Sequence, residues 1–306
     1  MAGDALYNNV SLLLHCDGSN GSTTFTDNSP TPKTPTVFGN TQISTTQSKW
    51  GGASALFDGN GDYLTYANHT DFNLISGDWT IEAWIYITTL TAAAQTLLDK
   101  DGVSGSSYPQ YSLAVSSAAK LVGFLGNGNG VSPTGTTYTG TTTITQNAWH
   151  HVALVKTGST CKGFLDGNQE WSAAAATMYS GSKALFVGWS SGQPVGAYFN
   201  GHVDDLRITK GVARYTGTFT PPAAAFDDRL PQVSGNVKDA SGANAARTVR
   251  AYRRDTGALV GSTTSNGTTG NYTIDCTTAE EVTVVAFDNA TSGTYYNDQV
   301  ARVIPA

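Results

Sequence analysis

The chain has 306 residues, a formal net charge of −6 and only 13% charged side chains against 34 glycines, a length that holds one large or two ordinary domains. Sparse charge leaves no basic stripe for nucleic acid: Arg247, Arg250, Arg253 and Arg254 form the one basic cluster, read as a solvated strand face balanced by Asp239 and Asp255. Three cysteines, Cys16, Cys161 and Cys276, are odd in number and unpaired in spacing, which excludes a disulfide framework or a zinc site and leaves small buried apolar residues of a reduced protein.

No long stretch carries apolar residues at helical spacing, and short apolar runs alternate with Gly, Ser and Thr turns, so the chain is expected to be all-β. The first residues, Met-Ala-Gly-Asp-Ala-Leu-Tyr, have neither a basic start nor an apolar core, so no secretory signal is expected. No segment approaches the ~20 apolar residues that span a bilayer.

In chain order, Val10 to Cys16 gives a first strand whose Leu12-Leu13-Leu14 run is covered on both faces and so is expected to lie centrally. Residues 17 to 35, with Pro30, Pro32 and Pro35, read as a loop. Ala53, Ala55 and Phe57 lead into the turn Asp58-Gly59-Asn60-Gly61-Asp62 and a strand from Tyr63 to Tyr66, which together predict a hairpin. The turn carboxylates suit either local backbone bonding or a calcium role.

Trp79 to Thr88 sets Ile81, Ala83, Ile85 and Ile87 on one face and Glu82 between aromatics on the other. Strands follow at 96 to 100, 110 to 115 and 121 to 125. The Gly126-Asn127-Gly128-Asn129-Gly130 run lacks the helix and Lys-Ser/Thr pair of a phosphate loop and reads as surface loop. Trp149 to Lys156 points His150 and His151 to opposite faces, so the two cannot chelate one ion. A hairpin through Asp166-Gly167-Asn168 carries Trp171, and Ala184 to Val187 leads into Gly188-Trp189-Ser190-Ser191-Gly192-Gln193-Pro194. A tryptophan among small polar residues suits a sugar face, an edge shield or a subunit contact.

Phe199 to Pro222 reads as the closing segment. Strict alternation would split Val203 from Leu206 and Ile208, whereas a bulge at Asp204-Asp205 turns all three inward, and the bulge is expected. Lys210 to Tyr215 then makes one tight turn, Phe219 packs back, and Pro221-Pro222 ends the pairing.

Gly201-His202-Val203-Asp204-Asp205-Leu206-Arg207-Ile208 followed by Gly211-Val212-Ala213-Arg214-Tyr215 resembles the laminin G-like, concanavalin A-like jelly rolls. The same family pattern is matched by Leu12 to Gly18, Leu56 to Leu64, Trp79 to Ile85, Trp149 to Val155 and Phe164 to Gly167. The expected architecture is therefore a concanavalin A-like jelly-roll sandwich over 1–222, a linker over 223–231 and a small immunoglobulin-like β-sandwich over 232–306. The last unit, with Gly235-Asn236-Val237, Arg247 to Tyr252 and Gly270 to Ile274, resembles carboxypeptidase regulatory-like immunoglobulin-type modules, and Tyr295 to Pro305 resembles a variant in bacteriophage structural proteins.

Some jelly rolls of this kind are glycosidases, which set two carboxylates about 5 Å apart. Here the glutamates are Glu82, Glu170, Glu280 and Glu281, with no paired motif, no Gly-x-Ser-x-Gly elbow and no zinc spacing, so no enzyme is expected. The resemblance implies that Glu82 holds a neighbouring loop and that Asp204, with Asp58 or Asp62, holds a structural calcium. It also implies ligand contacts from rim aromatics: Tyr108, Trp171, Trp189 and Tyr198. The expected function is a bacteriophage virion structural protein, a tail-associated adhesin or fibre module that binds host surface glycans. It would be made in the host cytoplasm, released by lysis, homo-oligomeric and joined to other virion proteins, with no nucleic acid partner and no membrane insertion. A capsid decoration protein and a secreted bacterial lectin are the alternatives.

Overall fold

The computed structural model describes residues 3–100, 109–127, 134–175, 178, 181–190, 197–239, 241–287 and 300–305. The chain divides into two compact units, Asn9–Phe226, and Asp227–Ala306 together with Met1–Asn8. Among the described residues no helix is long and apolar enough to cross a membrane.

The strands of the larger unit are β1 (Val10–Leu14), β2 (Thr36–Phe38), β3 (Gln42–Ser44), β4 (Ser54–Asp58), β5 (Tyr63–Tyr66), β6 (Trp79–Ile87), β7 (Gln95–Lys100) and β8 (Tyr111–Val115). They continue with β9 (Leu121–Asn127), β10 (Thr134–Thr139), β11 (Trp149–Thr157), β12 (Thr160–Leu165), β13 (Asn168–Ala174), β14 (Leu185–Val187) and β15 (Asn200–Lys210). Counted over the described residues, one sheet runs β13-β12-β11-β6-β15-β4-β3 with β1 also on β15, and the other runs β10-β9-β8-β7-β14-β5-β2. This is the expected all-β jelly-roll sandwich. Alternation puts Ile81, Ala83, Ile85, Val152 and Leu154 of the first sheet against Leu64, Tyr66, Leu98, Leu113 and Leu185 of the second in one buried core.

The bulge in the closing strand is present. The β15–β6 register shifts between Asp204 and Arg207, and Asp205 takes a positive φ of 46°. Val203, Leu206 and Ile208 are all buried in the core as a result.

Two expectations are corrected. The Asp58–Asp62 turn does not close a hairpin: β4 belongs to the first sheet and β5 to the second, so the turn carries the chain across the sandwich. Phe57 and Leu64 both point into the core from opposite sheets, which a hairpin within one sheet could not arrange. Nor is β1 central. It pairs with Leu206 to Thr209 of β15, while β4 pairs with Asn200 to Val203 of the same strand. The buried leucine run is covered above and below without a second pairing partner among the described residues.

Beyond Lys210 no further strand forms in this unit, and the chain straps the outer face of the first sheet. Phe219 packs on Phe164, Ala153 and Val155, stacks on Tyr215 (centroids 3.5 Å, 4°), and its N–H donates to the Gly167 carbonyl (3.0 Å). Within the 223–231 segment, Phe226 is buried: its N–H donates to Asp205 Oδ2 (2.8 Å) and its ring lies 3.7 Å from the Arg207 guanidinium.

The smaller unit pairs β16 (Gln232–Asn236) with β19 (Asn271–Asp275), and orders β18 (Leu259–Thr264), β17 (Thr248–Arg253), β20 (Val282–Phe287) and β21 (Val300–Val303) side by side in a second sheet. Val233, Val249, Ala251, Ile274, Cys276, Val282 and Val284 form its separate core. Residues 295–299 of the phage-like ending lie outside the described residues.

Candidate functional site

On the second sheet, Val37, Leu64, Tyr66, Leu185 and Val187 face the core, so the alternate residues Phe38, Tyr63 and Phe186 face outward. Phe38 lies opposite Tyr63 in register, and the two rings stack at 4.3 Å and 5°. Trp189, just past β14, lies 4.9 Å from Tyr63 and 5.6 Å from Tyr198, nearly parallel to the latter at 16°. Tyr63 and Tyr198 are 6.2 Å apart at 30°. Phe186 meets the Trp189 ring edge-on (5.5 Å, 85°) and props it. The five rings form an aromatic platform: Phe38 is 38% exposed and the other four are half-buried.

Nothing in the sequence joined these rings. Trp189 and Tyr198 were legible as loop aromatics, but Phe38, Tyr63 and Phe186 come together only because β2, β5 and β14 are neighbours. Tyr63 showed its alternation with Leu64 and Tyr66; the hairpin expectation hid its true neighbours. Burial pushes the Tyr63 phenol above its ordinary range, and Tyr198 adds to the effect. The phenol therefore stays neutral at physiological pH. Partly exposed aromatic surface, apolar on the ring face and wet at the edge, is the chemistry that receives the apolar face of a sugar.

Trp171 is elsewhere and does other work. Its ring stacks on Tyr138 (4.8 Å, 19°) and packs against the main core. A Cβ added at Gly123 or at Gly163 would come within 2.4 Å of the indole, so the two glycines make the slot that the ring fills. The indole Nε1 is buried without a hydrogen-bond partner among the described residues. Trp171 is thus a packing residue and not a partner of Trp189. Tyr108 lies outside the described residues.

The proposed calcium ligands do not converge. Asp62 is buried and its carboxylate is engaged as a turn acceptor, Oδ1 from the Asn40 N–H (2.7 Å) and Oδ2 from the Asp58 N–H (2.9 Å). Burial lifts its pKa while those amides pull the other way. Asp58 Oδ1 accepts from the Asn60 N–H at 2.7 Å. Asp204 lies four residues along β15 from Asn200, the residue opposite Asp58, a distance of roughly 13 Å along an extended strand. A calcium shell gathers six to eight oxygens at 2.3–2.6 Å, about, so these three carboxylates do not fit one ion. Among the described residues no group of three or more His, Cys, Asp or Glu is placed to hold a metal.

Asp204 is a structural acceptor. Oδ2 takes the N–H groups of Lys49 (2.7 Å) and Trp50 (3.0 Å), whereas Oδ1 is buried without a partner among the described residues. Burial pushes its pKa up to about 7, opposed by the two amides and assisted by Asp205 and Asp17.

Glu82 holds the strap as the resemblance implied. Oε1 accepts from Arg207 Nε (3.0 Å) and Nη2 (2.8 Å); Oε2 accepts from Tyr215 Oη (2.6 Å) and lies 3.2 Å from His151 Nε2. Burial alone would raise its pKa, yet Arg207, His151 and Arg214 hold it well below the carboxylate range. On the opposite face of β11, His150 pairs with Asp166 (2.7 Å). Glu170 Oε2 accepts the N–H groups of Thr141 (2.6 Å) and Thr142 (2.8 Å).

Comparison with known proteins agrees with this architecture. The solved binding domain of Paraclostridial Mosquitocidal Protein 1 is similar over 97% of this chain and 76% of its own, at 12% identity and a TM-score of 0.52. The botulinum neurotoxin serotype D binding domain is similar over 99% and 80%, at 12% identity and a TM-score of 0.49. Domain 4 of AbnA, an extracellular arabinanase from Geobacillus stearothermophilus, is similar over 67% and 94%, at 16% identity and a TM-score of 0.45. The first of these, at 12% identity, speaks to fold alone. No curated protein matches the sequence. The family model of the concanavalin A-like lectin/glucanases superfamily, Laminin_G_3, matches residues 58–214, half of the chain and most of the larger unit. The chain belongs to the concanavalin A-like lectin/glucanases superfamily.

Proposed function

We propose that this chain is a non-enzymatic glycan-binding protein of a bacteriophage virion, a tail-associated adhesin or fibre module. The aromatic platform of Phe38, Tyr63, Phe186, Trp189 and Tyr198 carries the reading: five partly exposed rings gather on the outer face of the second sheet of a lectin-type fold. A binding role without catalysis is supported by the glutamates of the larger unit, since Glu82 is consumed by the strap and Glu170 by a loop. The virion context is supported by the C-terminal resemblance to phage structural modules, and it implies synthesis in the host cytoplasm, release by lysis, virion-protein neighbours and a homo-oligomeric state. Mass spectrometry of purified particles tests that context: a chain absent from them is not a virion protein. Binding of the folded protein to a panel of surface glycans, with Trp189→Ala beside wild type, tests the platform.

A further inference from the structure

The platform is edged by carboxylates. The turn from Asp58 to Asp62 lies between the two segments that carry its rings. On one side, Asn40, two residues after Phe38, donates its N–H to Asp62 Oδ1 (2.7 Å), and its side-chain amide, turned to satisfy both acids, donates to Asp58 Oδ2 (3.1 Å) and Asp62 Oδ1 (2.9 Å). On the other, Asn200, two residues after Tyr198, donates Nδ2 to the Asp58 carbonyl (2.8 Å). Asp62 is buried, but Asp58 is exposed. Its carboxylate oxygens each keep acceptor capacity beyond the bonds to Asn60 and Asn40.

Among the described residues, no lysine or arginine side chain lies over a platform ring: those that lie over rings lie over Phe72, Trp50, Trp84, Phe226 and Phe287. Lys183 lies before β14, three residues and roughly 10 Å of extended chain from Phe186. Residues 191–196, which join Trp189 to Tyr198, read Ser-Gly-Gln-Pro-Val-Gly and carry no charged side chain. Sites that select carboxylated or phosphorylated ligands supply arginine, lysine or convergent amide donors. This edge supplies an acceptor of hydroxyl protons and a fixed negative charge.

We infer that the platform takes a neutral glycan, with Asp58 accepting sugar hydroxyls at its edge and turning away glycans that carry a carboxylate, sulfate or phosphate. This step rests on the glycan-binding reading of the same rings. The test presents the full chain with immobilised oligosaccharides in matched pairs, each neutral glycan beside its sialylated or uronate-bearing form. The neutral member binds and its charged counterpart binds about tenfold more weakly or worse. Because the penalty is electrostatic, the gap narrows in 1 M sodium chloride, where the screening length is about 3 Å. It narrows also in Asp58→Asn, which keeps an acceptor oxygen for the Asn60 amide; an unchanged melting temperature shows that the variant is folded. Charged members bound as tightly as neutral ones, with binding lost in Trp189→Ala, overturn the neutral-glycan inference and leave the glycan-binding reading standing. A gap indifferent to salt and to Asp58→Asn removes Asp58 from the role. Binding to neither member of any pair overturns the inference together with the reading beneath it.

Discussion

At the scale of single residues, Asp204 is a carboxylic acid placed where ionisation is costly. Its pKa rises from 3.8 to about 7 because burial outweighs the two amides that it accepts. Below about pH 4 it is protonated folded or unfolded. Between pH 4 and 7 the native protein keeps a proton that the unfolded chain releases, so stability falls as pH rises through that window. The ceiling on this loss is about 4 kcal/mol, at about 1.36 kcal/mol per pH unit of difference. The melting temperature is therefore expected to fall from pH 5 to pH 8, and Asp204→Asn, which retains an oxygen for the Lys49 and Trp50 amides, is expected to flatten the profile and melt several degrees higher at pH 8. A wild-type profile flat over that range contradicts the assignment. Glu82 behaves in the opposite sense: its pKa is depressed, so its contribution is present above the unfolded value of 4.5 and lost as pH falls below it. Glu82→Ala removes the buried carboxylate that Arg207 Nε and Nη2 donate to, and about 3–5 kcal/mol of destabilisation is expected in urea titrations.

At the scale of elements, the two loop or edge tryptophans separate cleanly. Trp171 fills a slot between β9 and β12 lined by Gly123 and Gly163, so Trp171→Ala opens a cavity and is expected to cost about 3 kcal/mol while leaving ligand binding unchanged. Strong loss of binding in a folded Trp171→Ala protein would return that residue to the site. What was legible in the sequence follows the same division. The closing strand could be read with its bulge because only a bulge turns Val203, Leu206 and Ile208 inward together. Glu82 was legible through the family resemblance, and the structure supplies its physical reason: an acid on a strand buried on both faces needs partners. The turn at Asp58–Asp62 misled because a Gly-rich turn between two strands looks the same whether the strands pair or diverge to opposite sheets. Three of the five platform rings were hidden for that reason: their outward direction is local, but their proximity is set by strand order, which no local pattern carries.

At the scale of the whole molecule, two cores are separate. Leu12, Ile81, Val152 and Leu206 belong to one, and Val233, Val249, Ile274 and Val284 to the other. Residues 9–226 produced alone are therefore expected to fold cooperatively and to keep the full glycan affinity, as all five platform rings lie within them. A larger unit that is unfolded by circular dichroism when produced alone contradicts this. Binding through the platform is tested most directly by calorimetric titration of folded wild-type and Trp189→Ala protein with a glycan that the wild type binds. Trp189 contacts Tyr63, Phe186 and Tyr198 but is only half-buried, so its loss is expected to lower the melting temperature by a few degrees. Affinity is expected to fall about thirtyfold, or about 2 kcal/mol. Undiminished affinity in folded Trp189→Ala protein would contradict a platform that binds sugar.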